Sequence, residues 1–405
     1  MLARAGNVNN GSLNDMAKSQ NRAIFYCPLE AYKERYTMQL SAPEVGWLER
    51  NWRQAGITYV RVEGDRPHEP QNITTGVALD AIGRSKMCFA QVSKLLDMMP
   101  GMGEDDVIYF DDFWHPGIEA IAYAAHMMNR PLPKMYANLW AQSVDEFDFT
   151  YGMRDWMRYF EKGFGTLLSG IFVACPSLKD LVVHGGIAHH EKVHAVGHPF
   201  SSEEVKSRMP ELPADREDKV VYCSRWDREK NPDFFLRVVD TVLAERPHTQ
   251  FVVCSSHEKL RSNHSPLLGL LTKARKKHGD KLVLMEGLTK EEYYAELASA
   301  KVHINTADQD WISFVLLEAS CAGAYPVYPY FRSFPEVFEY KPDFMYQRLH
   351  VPSAAAVVKG VLDATDLWTE EAIQSRAWVH ERFDNSWERM ATIMGVYQGD
   401  QSGPF

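Results

Sequence analysis

The sequence predicts an α/β protein made of two doubly wound, Rossmann-like domains facing across a cleft. Three observations predict it. The chain has 405 residues, enough for two domains of ordinary size. Short apolar runs alternate with amphipathic helical stretches along its whole length, as in a parallel sheet with helices on both faces. The alternation also stops once and restarts, around a polar stretch at 201–218 ("SSEEVKSRMPELPADRED") that reads as a linker. This divides the chain into a polar, mobile tail (1–20), a first domain (21–200), the linker, a second domain (219–380) and a terminal helical segment (381–405).

Each element follows from local pattern. In the first half, "AIFYC" (23–27), "TYVRVEG" (58–64), "DVIYF" (106–110), "KMYANL" (134–139) and "GIFVAC" (170–175) read as buried strands. Helices are predicted over 44–56, 78–99, 117–129 and 151–170. In the second half the strands are "KVVYCSR", "QFVVCSS", "KLVLMEG", "KVHINT" and "AYPVYPY". The helix after the first of these starts at Asn231 with Pro232 in its first turn. The helix "FVLLEASCAG" stops at Gly323. Trp47, Trp52, Trp156 and Tyr159 fall at helical spacing and read mainly as core or interdomain contacts.

Composition narrows the function. Hydrophobic residues are 45% and charged residues 24%, which argues against disorder and fibrous folds. The net charge of −10 is spread over both halves, so bulk charge does not favour a polyanion, although a local basic groove is compatible with it. Six cysteines without a CxxC read as buried thiols in a reducing, cytoplasmic setting. No apolar run is long enough to span a membrane. The run "KARKKHG" (273–279) reads as a solvated helix end, or alternatively as a phosphate-backbone patch.

Ligands of doubly wound sheets bind beyond the carboxyl ends of the strands, here in the interdomain cleft. The stretch 303–339 places a strand, a loop and a helix start near Ser313, Phe314 and Val315, where backbone N–H groups favour an anion. Asp310 precedes that helix. Glu318 lies inside it among apolar residues, where a buried carboxylate needs donors such as a ribose diol. "DQD" (308–310) also matches a metal-binding DxD, the alternative for those carboxylates.

"DWISFVLLEASCAGAYPV" followed by "SFPEVF" resembles the signature of retaining glycosyltransferases of the GT-B fold, family 4 in particular. Asp310 and Glu318 have the acidic-x7-Glu spacing, with Asp where the family usually has Glu. "YCSRWDREKNPDFF" resembles the family's GR-x4-K element, giving Arg225 and Lys230, with Ser224 where the family has Gly. The resemblance implies that Arg225 and Lys230 hold a diphosphate, Glu318 the ribose, Asp310 the sugar, and Gly287 and Leu288 the nucleotide base. It also implies that the terminal helix crosses back onto the first domain.

The donor would then be a nucleotide sugar, with no cofactor and no essential metal. On the other side of the cleft, His115 is a candidate catalytic group. Asp111, Asp112, Gln142 and Asp145 are candidate acceptor-side groups, each following a strand. The coda "AGAYPVYPYFRSFPEVF" resembles transferases acting on a modified tRNA base, and phage enzymes that glycosylate hydroxymethylated DNA bases share the fold. A tRNA or DNA base is the leading acceptor, with a saccharide or small molecule next. A GT-B sugar-nucleotide epimerase and a non-catalytic binding module are the rivals from other classes.

Overall fold

The computed structural model describes residues 22–30, 52, 56–65, 81–213, 215–308 and 310–397. The tail at 1–20, most of the 44–56 helix including Trp47, the start of the 78–99 helix, Gln309 and residues 398–405 lie outside the described residues.

Two six-stranded sheets carry the fold. The first contains β1 (Ala23–Cys27), β2 (Thr58–Arg61), β3 (Val107–Phe110), β4 (Lys134–Asn138), β5 (Gly170–Val173) and β6 (Val193–Ala195), in the order β2-β1-β3-β4-β5-β6. The second contains β7 (Glu217–Tyr222), β8 (Gln250–Cys254), β9 (Leu282–Met285), β10 (Ala300–Ile304), β11 (Tyr325–Tyr330) and β12 (Met345–Gln347), in the order β12-β11-β10-β7-β8-β9. Every strand pair is parallel. The strand order reverses between β1 and β3 in the first sheet and between β7 and β10 in the second. At such points the connecting helices leave on opposite faces and open a crevice at the carboxyl edge.

Side-chain alternation explains why both faces of the first sheet are apolar. Phe25, Ile108, Phe110, Met135 and Ile171 join the main core. Ile24, Tyr26, Val107, Tyr109, Tyr136 and Phe172 point to the other face. That second face is covered by Trp52 and by Trp387, Met390, Ala391 and Met394 from the helix Ser386–Ile393 and its end. Trp387 meets Tyr109 edge-on at 6.1 Å. Arg22 also donates to the carbonyls of Met394 and Gly395.

Within 201–218 the structure holds a short helix, Ser202–Ser207, capped by the Ser201 hydroxyl, which accepts from the Glu204 N–H. Ser202 donates from its backbone and hydroxyl to Asp384, so this stretch is tied to the end of the helix Trp378–Asp384. Trp52 is fully buried, as expected. Trp156 and Tyr159 are exposed instead. The stripe that their helix (Arg154–Leu167) buries consists of Met157, Glu161, Phe164 and Gly165.

Four imidazoles are buried in a neutral state. Burial pushes His115, His198 and His303 down to about 3 and His380 to about 4. Burial raises several carboxyls, among them two aspartic acids, Asp111 to about 7 and Asp148 to about 6. Below the ordinary histidine value each of these imidazoles takes up a proton on unfolding, so acid favours the unfolded chain. Each of the two aspartic acids loses its proton on unfolding between its raised value and about 4, which opposes the histidines. Near pH 5 each of the four imidazoles therefore makes stability fall as pH drops, and each raised carboxyl opposes that fall. Urea midpoints of the wild type and of His303→Asn at pH 5 and pH 7 check this; a stability difference between the two proteins that does not change with pH would contradict the neutral burial of His303.

Candidate active site

The loops after β7 and β10 meet at the second sheet's reversal point and are stitched together through the backbone. The Thr306 hydroxyl donates to the Lys230 carbonyl at 2.6 Å, and the Tyr222 hydroxyl donates to the same oxygen at 3.2 Å. Asn231, in the left-handed region at φ 49°, donates from its side-chain amide to the Thr306 carbonyl at 3.0 Å. This fixes Lys230 at the end of its loop and brings its Nζ to 2.9 Å from Asp310 Oδ1. Lys230 is buried. Asn305 Nδ2 reaches the other Asp310 oxygen at 3.4 Å.

Arg225 lies on the same loop but turns outward. It is over half exposed and pairs with Asp227 at 2.6 Å and Glu229 at 2.7 Å. Asp308, the other carboxylate of the DxD pattern, pairs with Arg348 at 2.6 Å. Both described carboxylates of that pattern thus already have a cation. Among the described residues no group of three or more His, Cys, Asp or Glu side chains is gathered as metal ligands would be.

Ser313 stands at the N-terminal flank of the helix Phe314–Cys321 without a side-chain capping hydrogen bond, and Glu318 sits one turn in, with its carboxylate almost fully buried. Three donors hold it: Lys290 Nζ at 2.8 Å, the Tyr293 hydroxyl at 2.8 Å and the Tyr294 hydroxyl at 3.1 Å. All three come from the helix Lys290–Ser299, which a Thr289–Glu292 capping box starts. Lys290, Tyr293 and Tyr294 are spaced i, i+3, i+4, so they share one helical face. That spacing is the sequence signal that could have found them. Burial, with the Glu318 charge beside it, pushes the Tyr293 phenol well up, so it stays a donor.

The loop after β9 is anchored to the loop after β8. Gly287, at φ 69°, donates its N–H to the His257 carbonyl at 2.8 Å, and Leu288 donates to Ser255 at 3.1 Å. A positive φ there suits glycine. The three carboxyl-edge loops of the second sheet therefore present Gly287 and Leu288, Lys230, and Asp310 with the 313–315 helix start along one edge.

The first sheet's reversal point holds a buried charge cluster. Arg84 donates to both oxygens of Glu30, at 2.9 and 2.7 Å, and also to Asp112. Neither Arg84 nor Glu30 has a sequence motif to mark it. Asp111 is buried and accepts from the hydroxyls of Tyr109 at 3.2 Å and Tyr26 at 3.5 Å. His115 is buried against Phe110, with Nε2 2.9 Å from Gln91 Oε1. Gln91 spends its amide donors on the carbonyls of Pro28 and Val62, so its oxygen must accept, and Nε2 carries the imidazole proton. His115 Nδ1 is buried with no partner.

Gln142 Oε1 and both side-chain polar atoms of Asn138 are buried without partners as well. Asp145 is buried and pairs across the interface with Arg332. The Arg332 guanidinium lies 4.0 Å over the Trp311 ring and 5.1 Å over Phe147. The cleft wall is continued by an aromatic stack. Trp140 faces His198 at 4.4 Å, and His198 faces Phe314 at 5.9 Å. Phe314 thus presents its ring to the first domain. Ser177 closes the contact further along, donating to Glu336 from its hydroxyl at 2.7 Å and its N–H at 3.1 Å. Arg332 and His198 were missed at the sequence level, because their roles exist only once the two domains face each other.

No family model matches the chain. Among curated proteins it is similar to a tRNA-queuosine alpha-mannosyltransferase of Drosophila melanogaster, 25% identical over 141 residues, 35% of this chain and 36% of that protein. The match thus spans about a third of the length of that relative. Among solved structures the chain resembles a sucrose-phosphate synthase from Thermosynechococcus elongatus, with TM-score 0.62 and 14% identity over 93% of this chain and 98% of that one. It also resembles the N-terminal domain of a Candida albicans trehalose-6-phosphate phosphatase, with TM-score 0.63 and 12% identity over 94% and 98%. A third neighbour is HepE of Anabaena, solved with UDP and glucose, with TM-score 0.57 and 13% identity over 92% and 99%. At these identities the likeness is one of fold. Together with the two facing parallel sheets, it shows that the chain has the GT-B fold.

Proposed function

We propose that the protein is a retaining glycosyltransferase that moves a sugar from a nucleoside-diphosphate sugar to a hydroxyl on a modified nucleic acid base. The observation that carries the reading is the pair of buried Lys230 with Asp310 beside the start of the Phe314–Cys321 helix, with Glu318 one turn further on. These groups stand at the reversal point of the second sheet, where a nucleotide binds in doubly wound folds. The curated relative named for a tRNA base supports the acceptor class.

In this reading the bond between the sugar's anomeric carbon and the diphosphate breaks, and the diphosphate leaves with the electron pair. The acceptor oxygen forms its bond on the same face. Its proton passes to a departing phosphate oxygen, so no dedicated base is needed. Lys230 and the backbone N–H groups at 313–315 stabilise the charge that develops on the diphosphate. Asp310 then turns from Lys230 to the sugar hydroxyls. Lys290, the most exposed of the three Glu318 donors, is the one a ribose hydroxyl replaces. The cation held by each of Asp308 and Asp310 supports a metal-independent reaction. Trp140, Gln142 and His198 face the acceptor side, and the unpaired polar atoms of Gln142 and His198 are groups a bound substrate would satisfy.

A nucleotide-sugar panel tests this, with release of nucleoside diphosphate measured in the presence of tRNA, hydroxymethylated DNA or saccharides, with and without EDTA. Release that depends on tRNA or hydroxymethylated DNA is expected. No release with any pair would overturn the reading, and loss of activity in EDTA would overturn its metal-free part. Glu318→Gln is expected to weaken nucleoside diphosphate binding about 10- to 100-fold, the cost of losing charged hydrogen bonds. Calorimetry on the folded variant checks it; wild-type affinity would remove Glu318 from the nucleotide site.

A further inference from the structure

The helix Arg154–Leu167 leaves a face uncovered that a soluble domain has no packing reason to keep aromatic. Trp156 is 52% exposed, Tyr159 63% and Phe160 52%, and Phe149 just before the helix is 57% exposed. Trp156, Tyr159 and Phe160 follow helical i, i+3, i+4 spacing and form one ridge. Arg154, Arg158 and Lys162, all exposed, run beside it at i, i+4, i+8, with Asp155 the one exposed acid of the helix. The guanidinium of Arg158 lies 5.0 Å over the Tyr159 ring, and that of Arg154 lies 4.3 Å over Tyr151. A contiguous exposed aromatic patch marks an interaction surface.

The patch leads to the cleft. Phe160 meets Trp156 edge-on at 6.0 Å, and Trp156 meets Trp114 at 6.2 Å. The Trp114 carbonyl accepts from Arg84 and its N–H donates to Asp112, both in the charge cluster at the first sheet's reversal point. Glu161, on the buried side of the same helix, takes hydrogen bonds from the Trp114 indole and from Ser143. The helix is therefore braced against the loop that carries Gln142 and Asp145.

We infer that this aromatic and basic face is a docking surface for nucleic acid, taking a single-stranded or looped segment whose bases stack on Trp156 and Phe160 while Arg154, Arg158 and Lys162 follow its phosphates. The inference rests on the nucleic acid acceptor proposed above. Charge selects this occupant. A row of three cations on a chain of net charge −10 suits one strand of phosphates better than a broad anionic sheet, which the rest of the surface would repel. The exposed ridge is also purely aromatic, with no leucine, isoleucine or valine to enter a bilayer. Aromatic faces flanked by cations are how single strands are held without base-specific contacts.

Fluorescence anisotropy tests this with labelled single-stranded RNA and DNA of mixed sequence, longer than the ~4–16 nucleotides such a surface covers. Wild-type protein is expected to bind with marked salt dependence. Trp156→Ala with Phe160→Ala should weaken binding about 5- to 150-fold for each stacked base lost. Arg154→Glu with Arg158→Glu should weaken it and lower the salt slope by about two. Nucleoside diphosphate binding, followed by calorimetry, should be unchanged in both pairs, which confirms that the fold and the donor site survive.

Oligonucleotide binding that ignores both variant pairs would overturn this surface and leave the acceptor reading standing. No binding by the wild type, together with transfer to a saccharide, would overturn both. Capture of phosphatidylserine vesicles in place of oligonucleotides, lost in the Trp156 and Phe160 variant, would reassign the face to a membrane.

Discussion

Lys230→Ala is expected to lower turnover about 10²- to 10³-fold, the usual loss when a preorganised donor to developing charge is removed. The effect belongs to the rate more than to the fold. What positions the 225–231 loop is the Lys230 carbonyl, held by Thr306 and Tyr222, and the Asn231 amide, all of which the substitution leaves in place. Asp310 keeps Asn305 and has partial access to water, so the carboxylate left behind is not stranded. Circular dichroism melts should therefore stay close to wild type while nucleoside diphosphate release falls. Lys230→Arg should recover only part of the loss, because a planar fork cannot occupy the position of a point charge. An alanine variant that turns over at the wild-type rate would remove Lys230 from the reaction.

Arg332→Ala should cost about 3–5 kcal/mol of stability, the price of leaving a buried charge without its partner. Asp145 sits in the first domain and Arg332 in the second, 187 residues away; Asp145 is buried and the Arg332 side chain is largely covered. The guanidinium also lies over Trp311 and Phe147, contacts that add to the loss. Arg332 is itself in the left-handed region, at φ 55°, a conformation that its surroundings must hold in place. Replacing both partners, Asp145→Asn with Arg332→Ala, should cost less than the sum of the two single changes. Urea midpoints of the four proteins make the cycle. Strict additivity would show that the two side chains do not depend on each other. The same pair bridges the domains, so its loss should also loosen the cleft and raise the KM for the donor.

Much of the fold was legible because its strands are short, apolar and bounded by polar turns. β1 and β8 begin at the residues the pattern marks, and the Asn231–Pro232 start of the next helix is written in residue type alone. β12 was not legible. Three residues, Met345–Gln347, at a sheet edge are too few to show a period. The Ser202–Ser207 helix was hidden by its polarity, since it is held by Asp384 rather than by an apolar stripe.

In the site, the spacing of Asp310 and Glu318 and the position of Lys230 could be read because they lie on contiguous stretches. Their partners could not. Arg84 with Glu30, and Arg332 with Asp145, are brought together by topology, and no local pattern announces an ion pair between distant segments. Trp156 and Tyr159 misled for a related reason. Helical spacing marks one face of a helix without saying whether that face points to the core or to water.

The helix Ser386–Ile393 has a consequence for how the molecule is made. Its Trp387 and Met390 cover a face of the first sheet, and Arg22 holds the carbonyl of Gly395, 373 residues further along. During synthesis the strands β1, β3 and β4 emerge long before their cover does. Until residues near 390 clear the ribosome, Ile24, Tyr26, Tyr109 and Phe172 lack the part of their cover that Trp387 and Met390 supply. The first domain, although made first, is thus sealed late, and chaperone dependence should be concentrated in that interval.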